Sequence, residues 1–214
     1  MKFFLDTANV GDIKYWNDMG IVDGVTTNPS LISKEKRSFK TIVREICSIV
    51  DGPVSVEATS MDTDGILKEA RDFSGWSDNI VVKVPFIKEG VKALPILRDE
   101  EINTNTTLIF SPNQALIAMK AGTSYVSPFI GRLDDIAHYG MDIIADIVTM
   151  KNNYMFPAEV IVASVRHPIH VLESARLGAD ISTIPAAVLE KMFKHPLTDK
   201  GLESFMNDWK SVQE

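Results

Sequence analysis

Residues 104–129 read TNTTLIFSPNQALIAMKAGTSYVSPF, and the reading of this stretch decides the fold. It opens on a β-branched run, Thr104–Ile109, and closes on a second, Tyr125–Phe129. Between them Ser111-Pro112 has the form of a helix N-cap followed by proline at the first helical position. Gly122 closes the helical pattern, as a glycine just past a helix C-terminus does. Strand, helix and strand in such short compass predict a βα unit.

The same alternation runs outward in both directions. Short β-branched runs occur at Phe3–Thr7, Gly24–Asn28, Val54–Ala58, Ile80–Val84, Val160–Val165 and Ile181–Ile184, most of them bounded by Gly, Pro, Asp or Asn. Helical stripes lie between them, such as Phe39, Ile42, Val43 and Ile46, and Ile66, Leu67, Ala70 and Phe73. His167-Pro168 repeats the capping signal, and Gly20 and Gly178 repeat the closing glycine. Lys88–Glu101 reads as a poorer helix because Pro95 interrupts it. Eight βα units without a linker predict one α/β domain over residues 1–214, a (β/α)₈ TIM barrel. A doubly wound sheet is the alternative, but Asp6-Thr7-Ala8-Asn9 stands where its glycine-rich phosphate loop belongs. The last segment, Thr198–Gln213, puts Leu202, Phe205, Met206 and Trp209 on one stripe. That helix packs either on its own barrel or on a neighbouring subunit, and the sequence leaves both open.

The chain has 214 residues with 22 Lys plus Arg against 29 Asp plus Glu, a net charge of −7 and a pI near 5.2. So acidic a surface argues against nucleic acid or an anionic membrane as partner. A single cysteine excludes an intramolecular disulfide framework and points to a reducing compartment. The opening apolar run stops at Asp6, short of a signal-peptide core, and no stretch has the length of a membrane span. The expectation is a soluble, cytoplasmic protein.

Polar residues inside these strands are the anomaly to explain, because barrel strands are apolar on both faces. Lys83 in IVVKVP, residues 80–85, is the clearest. A desolvated lysine loses its proton readily and becomes a nucleophile, whereas a lysine near a strand end simply extends to solvent. Other strands carry polar residues two apart, hence on one face: Thr26 with Asn28, Ser55 with Glu57, and Asn103, Asn105 and Thr107 together. Asp6, Ser127 with Phe129, and Ser164 with Arg166 extend the pattern. An isolated Thr or Asn is ordinarily a cap or turn residue. Seven strands alike are better explained by a polar site at the C-terminal end of the barrel. A lysine among carboxylates suits Schiff-base chemistry. Arg132 and Arg166 suit an anion clamp, or else surface ion pairs.

The constellation resembles the transaldolase family, most closely its small-subunit branch, which includes fructose-6-phosphate aldolases. The resemblance rests on FLDTA (4–8), DGVTTNPSL (23–31), IVVKVP (80–85), SPF (127–129) with GRLDD (131–135), ASVR (163–166) and HPLTD (195–199). It implies a class I aldolase barrel that needs no cofactor and no metal. Lys83 matches the Schiff-base lysine, and Asp6 the acid/base for the C4 hydroxyl. Glu57 matches a carboxylate acting through a water held by Thr107. Asn28 and Asn105 match amides that bind dihydroxyacetone hydroxyls, with Thr26 and Ser127 beside them. Arg132, Ser164 and Arg166 match phosphate binders. Fructose-6-phosphate aldolase carries Gln at the position of Glu57 and Tyr at that of Phe129, so both positions here follow the transaldolase pattern. The resemblance implies transfer of a dihydroxyacetone unit between phosphorylated sugars in the pentose phosphate pathway. It also implies a homo-oligomer of five or ten subunits with the C-terminal helix on a neighbour.

Two other functions compete: a phosphosugar isomerase or epimerase using Asp6 and Glu57, and a non-catalytic phosphosugar-binding barrel. His167 and His170 have the spacing of a helical metal pair, but Arg166 beside them would repel a cation, and a first-turn helix role is preferred. Cys47 reads as a buried inert thiol, Met141 and Met150 as core, and Lys34–Arg37 as a solvated loop.

Overall fold

The computed structural model describes residues 1–212; Gln213, the last residue of the expected C-terminal helix, lies outside them. Eight parallel strands close in sequence order into a barrel. They are β1 (Lys2–Asp6), β2 (Gly24–Thr26), β3 (Val54–Glu57), β4 (Ile80–Pro85), β5 (Thr104–Ile109), β6 (Tyr125–Pro128), β7 (Glu159–Val162) and β8 (Ile181–Ile184). The helices are α1 (Val10–Asp18), α2 (Pro29–Ile32), α3 (Phe39–Ile49), α4 (Thr63–Ser74), α5 (Lys88–Asp99) and α6 (Pro112–Ala121). After these come α7 (Ile130–Asp134), α8 (Met141–Tyr154), α9 (Pro168–Leu177), α10 (Ala186–Met192) and α11 (Pro196–Val212). Among the described residues no helix is long and apolar enough to cross a membrane.

The main apolar core lies between strands and helices. Ile66, Leu67, Ala70 and Phe73 are the buried residues of α4, the same stripe the spacing gives. A fully buried large apolar side chain stabilises by roughly 1.5–3 kcal/mol. A second, smaller cluster of Phe4, Ile161 and Ile181, with Tyr125 against it, is separate from that core. Gly24 is required there, because a Cβ on it would come within 2.6 Å of the Phe4 ring. Ser111 caps α6 by accepting from the Gln114 N–H, and Gly122 ends it at φ +94°.

Several expectations need correction. Pro95 does not interrupt α5, which runs through it. The lost hydrogen bond costs roughly 3 kcal/mol, and burial of Gly90, Ala93, Leu94 and Leu97 on one face offsets it. Asn103 precedes β5 and is exposed, so it does not join Asn105 and Thr107. Strand β7 ends at Val162, before Ser164 and Arg166. Ser164 has a left-handed backbone at φ 62°, so two-residue parity does not govern this pair. Lys34 and Glu35 lie in a single 3₁₀ turn, Ser33–Glu35, rather than in a plain loop. Cys47 is half-buried, not enclosed, and burial still pushes its thiol up. Met141 is buried and Met150 packs against the same core. Helix α11 begins at Pro196 and buries none of its residues. Phe205 is 72% and Trp209 56% exposed, so the apolar stripe is not used on its own barrel.

Candidate active site

The strand ends at the C-terminal mouth of the barrel surround a cavity of about 210 Å³. Asp6, Thr26, Asn28, Lys83, Ser127, Phe129, Arg132, Ser164 and Arg166 all line it. These are nine of the twelve residues expected from the sequence. They come from four strands, β1, β2, β4 and β6, from the segments that follow β2, β6 and β7, and from α7, which no local pattern brings together.

Lys83 does not extend to solvent. Every residue of β4 is buried and Lys83 is 4% exposed. Its Nζ lies 3.4 Å from Glu57 Oε2 on the adjacent strand and donates to the Thr27 carbonyl at 3.2 Å. Register explains the first contact, because Glu57 on β3 pairs with Lys83 on β4. An unpaired buried ammonium would cost several kcal/mol, so a carboxylate beside it is a physical requirement. Glu57 itself faces a larger groove of about 610 Å³ toward α3 and α4, which shares Asn28 with the cavity.

Asp6 is half-buried at the end of β1 and lines the cavity. Burial pushes its carboxyl above the usual range; the nearby Lys83 charge and the Thr26 hydroxyl pull it back only in part. Thr26 donates to Asp6 Oδ1 at 2.9 Å and lies 2.5 Å from the hydroxyl of Thr183. Thr183 lines the cavity and was not expected. It shares a strand face with Ile181 near the end of β8, one polar and one apolar residue two apart, as Ser127 does with Phe129.

The remaining expected residues lie deeper or hold the frame. Asn105 is fully buried: its Nδ2 donates to Ser55 Oγ at 3.1 Å, and its Oδ1 accepts from Ser127 Oγ at 2.7 Å. Thr107 is also fully buried, and its hydroxyl has no hydrogen-bond partner among the described residues. Leu108 beside it sits at φ 59°, where the register of β5 against β6 shifts. Such irregularities re-aim side chains near sites. Asn28 caps α2, its Oδ1 accepting from the Leu31 N–H, so the cap reading and the site reading both hold for it.

One side of the mouth is cationic. The Arg132 guanidinium lies 5.0 Å from the Phe129 ring centroid, and Arg166 donates to Asp135 Oδ2 at 2.9 Å. Gly131 is obligatory between them: a Cβ there would lie 2.2 Å from the Ser164 carbonyl oxygen. The Phe129 ring lies 6.0 Å from Lys83 Nζ and packs edge-on against Phe110. Among the described residues no group of three His, Cys, Asp or Glu side chains is arranged to hold a metal ion.

Comparison with known proteins adds four findings. Residues 3–214 match the family described as Transaldolase/Fructose-6-phosphate aldolase. The chain is 61% identical to a probable transaldolase of Methanococcus maripaludis, covering 99% of this chain and 98% of that one. It is 59% identical to a probable transaldolase of Aquifex aeolicus, covering 100% and 99%. Among solved structures, a mandelate oxidase mutant with a monooxide FMN adduct aligns with a TM-score of 0.59 at 16% identity. That alignment covers 83% of this chain and 59% of the other, and it speaks to the barrel fold alone.

Proposed function

The chain belongs to the transaldolase/fructose-6-phosphate aldolase family, and from that premise we propose that it is a transaldolase. In this reading it moves a dihydroxyacetone unit from a ketose phosphate, fructose 6-phosphate or sedoheptulose 7-phosphate, to an aldose phosphate, erythrose 4-phosphate or glyceraldehyde 3-phosphate. The observation that carries the reading is Lys83, buried at the cavity floor beside Glu57 and within the electrostatic reach of Asp6.

The chemistry follows from these positions. Glu57 takes a proton from the Lys83 ammonium, and the free amine adds to the ketose C2 carbonyl. Loss of water leaves an iminium, which acts as an electron sink. A water at the orphan hydroxyl of Thr107 carries protons between Glu57 and this centre; a buried hydroxyl without a protein partner is one that water serves. Asp6 removes the proton of the C4 hydroxyl, the C3–C4 bond breaks, and an aldose phosphate leaves. Its raised carboxyl suits the task, because a base nearer neutrality also returns the proton to the new hydroxyl. The enamine on Lys83 then attacks the acceptor aldehyde, and hydrolysis frees the product. Asn28, Asn105, Thr26 and Ser127 orient the three-carbon unit. Arg132, Ser164 and Arg166 hold the phosphate, with Arg166 exchanging Asp135 for the anion. No step calls for a metal or an organic cofactor. A cytoplasmic place in the pentose phosphate pathway fits these substrates and the acidic charge.

Incubation with fructose 6-phosphate followed by borohydride tests the reading. A three-carbon adduct on Lys83, located by mass spectrometry, is expected. Absence of any adduct during turnover overturns it in favour of acid/base isomerisation by Asp6 and Glu57.

Transfer rather than aldol release rests on Phe129, whose ring cannot position a water for protonating the enamine. A Phe129→Tyr variant is expected to release free dihydroxyacetone in the absence of acceptor, read by a coupled reductase assay. A folded variant that releases none removes this account.

Helix α11 supports a homo-oligomer, with five or ten subunits as the expected numbers. Its apolar stripe is exposed in its own subunit, and a contiguous exposed apolar patch marks an interaction surface. Deleting residues 196–214 is expected to give monomers by light scattering. Retention of the full-length assembly would place the interface elsewhere.

A further inference from the structure

The anion corner is held from behind by a buried histidine that the proposed chemistry does not use. His170, in the first turn of α9, is 5% exposed. Its Nδ1 accepts from the backbone N–H of Arg166 at 3.2 Å, and its Nε2 lies 3.0 Å from Asp134 Oδ2 at the end of α7. Asp134 is fixed in turn, accepting the Gly140 N–H on Oδ1 at 2.8 Å. The hydroxyl of Ser174 donates to the His170 carbonyl at 2.6 Å. These partners assign the tautomer: Nε2 carries the proton and Nδ1 is an acceptor. The loop between β7 and α9 is thus gripped on two sides. Ile130 and Gly131 of α7 donate to the carbonyls of Ala163 and Ser164, and His170 of α9 receives Arg166.

We propose that His170 is a positioning residue for the anion-binding corner, its neutral Nδ1 fixing the Arg166 backbone so that Arg166 and Ser164 together face the cavity. The inference rests on the phosphate-binding reading of that corner. It also makes the corner sensitive to pH. A protonated His170 turns Nδ1 into a donor facing another donor, and the Arg166 N–H loses its partner. The groups facing His170 are His167, whose ring centroid lies 3.8 Å away, Asp134 from α7, and Glu173, which accepts from Tyr139. Arg166 itself is engaged by Asp135. Burial first, then His167, pushes the imidazole below its usual range against the pull of Asp134 and Glu173, so the neutral, gripping form prevails near neutrality.

Two substitutions separate this role from a merely structural one. His170→Asn keeps an acceptor where Nδ1 stood and cannot titrate; His170→Gln reaches Asp134 but leaves Arg166 without an acceptor. The probe is sulfate, which stays divalent across the working range, with binding measured by calorimetry between about pH 5 and pH 8. For wild type, affinity is expected to fall as pH falls through the imidazole range. In His170→Asn it is expected to stay close to the wild-type neutral value without that fall. In folded His170→Gln it is expected to drop on the order of 10-fold at every pH. KM for the phosphorylated donor and for a phosphorylated acceptor is expected to rise in parallel, while KM for unphosphorylated glyceraldehyde, measured at saturating donor, stays unchanged. Equal loss in both variants, or wild-type sulfate affinity that rises in acid, overturns the role of His170. Wild type that binds no sulfate overturns the phosphate-corner reading itself.

Discussion

A Lys83→Ala variant is expected to lose at least ~10⁴-fold in turnover and to form no borohydride-stable adduct. The loss is this large because in the proposed mechanism the amine is the covalent partner throughout, while the carboxylates around it only move protons. Alanine also leaves the Glu57 carboxylate without the cation now 3.4 Å away, so the variant alone does not separate chemistry from folding. Lys83→Arg does. The guanidinium keeps a cation beside the Glu57 carboxylate, so the buried pair is not broken, but it does not form the imine. Its melting temperature is expected to fall by far less than that of Lys83→Ala while turnover stays absent. Turnover within about 10-fold of wild type in either variant would mean that Lys83 is electrostatic only, and that Asp6 and Glu57 carry an isomerisation.

Replacing Asp6 by asparagine is expected to move activity and stability in opposite directions. Loss of a positioned general base lowers turnover by roughly 10²–10⁴-fold. Stability follows from the sign of the shift. The Asp6 carboxyl is raised in the folded state, mainly by burial, from an ordinary value of 3.8. A raised group favours folding at pH below its unfolded value, and that contribution is lost as pH climbs through the raised value. Above the ordinary carboxylate range Asp6 therefore weakens the fold. Asparagine removes that charge and still accepts from the Thr26 hydroxyl that now donates to Oδ1. The variant is expected to melt above wild type near neutrality, with the gap closing toward about pH 4. A lower melting temperature at neutral pH would show that the Lys83 and Thr26 contacts outweigh burial at this carboxylate.

Strands were legible because β-branched runs between turn residues report local backbone preference directly. Thr104–Ile109 and Ile181–Ile184 coincide with β5 and β8 to the residue. Pro95 was misread because a local rule counts the lost hydrogen bond and does not see the buried face of α5 that offsets it. Ser164 and Arg166 reached the site by a route the strand rule does not describe, through a left-handed residue in a loop. Thr183 carried the same alternation as its neighbours and was passed over, although it completes the hydroxyl chain to Asp6.

The sequence by itself determined the order of elements, the eight-stranded barrel and the identity of nearly all the polar residues at its mouth. These follow from short-range physics: turn chemistry, capping, and alternation along each strand. Tertiary structure decided the rest. Only barrel closure sets Glu57 against Lys83, commits Asn105 to Ser55 and Ser127, and leaves the Thr107 hydroxyl without a partner among the described residues. Only the packing of α7 and α9 against one loop turns His170 from a first-turn residue into the acceptor of the Arg166 amide. The physical reason is that a side chain's neighbours on its own strand or helix are fixed by local periodicity. Its neighbours across the barrel depend on the register and curvature of eight strands at once, and so do its desolvation and its charge state.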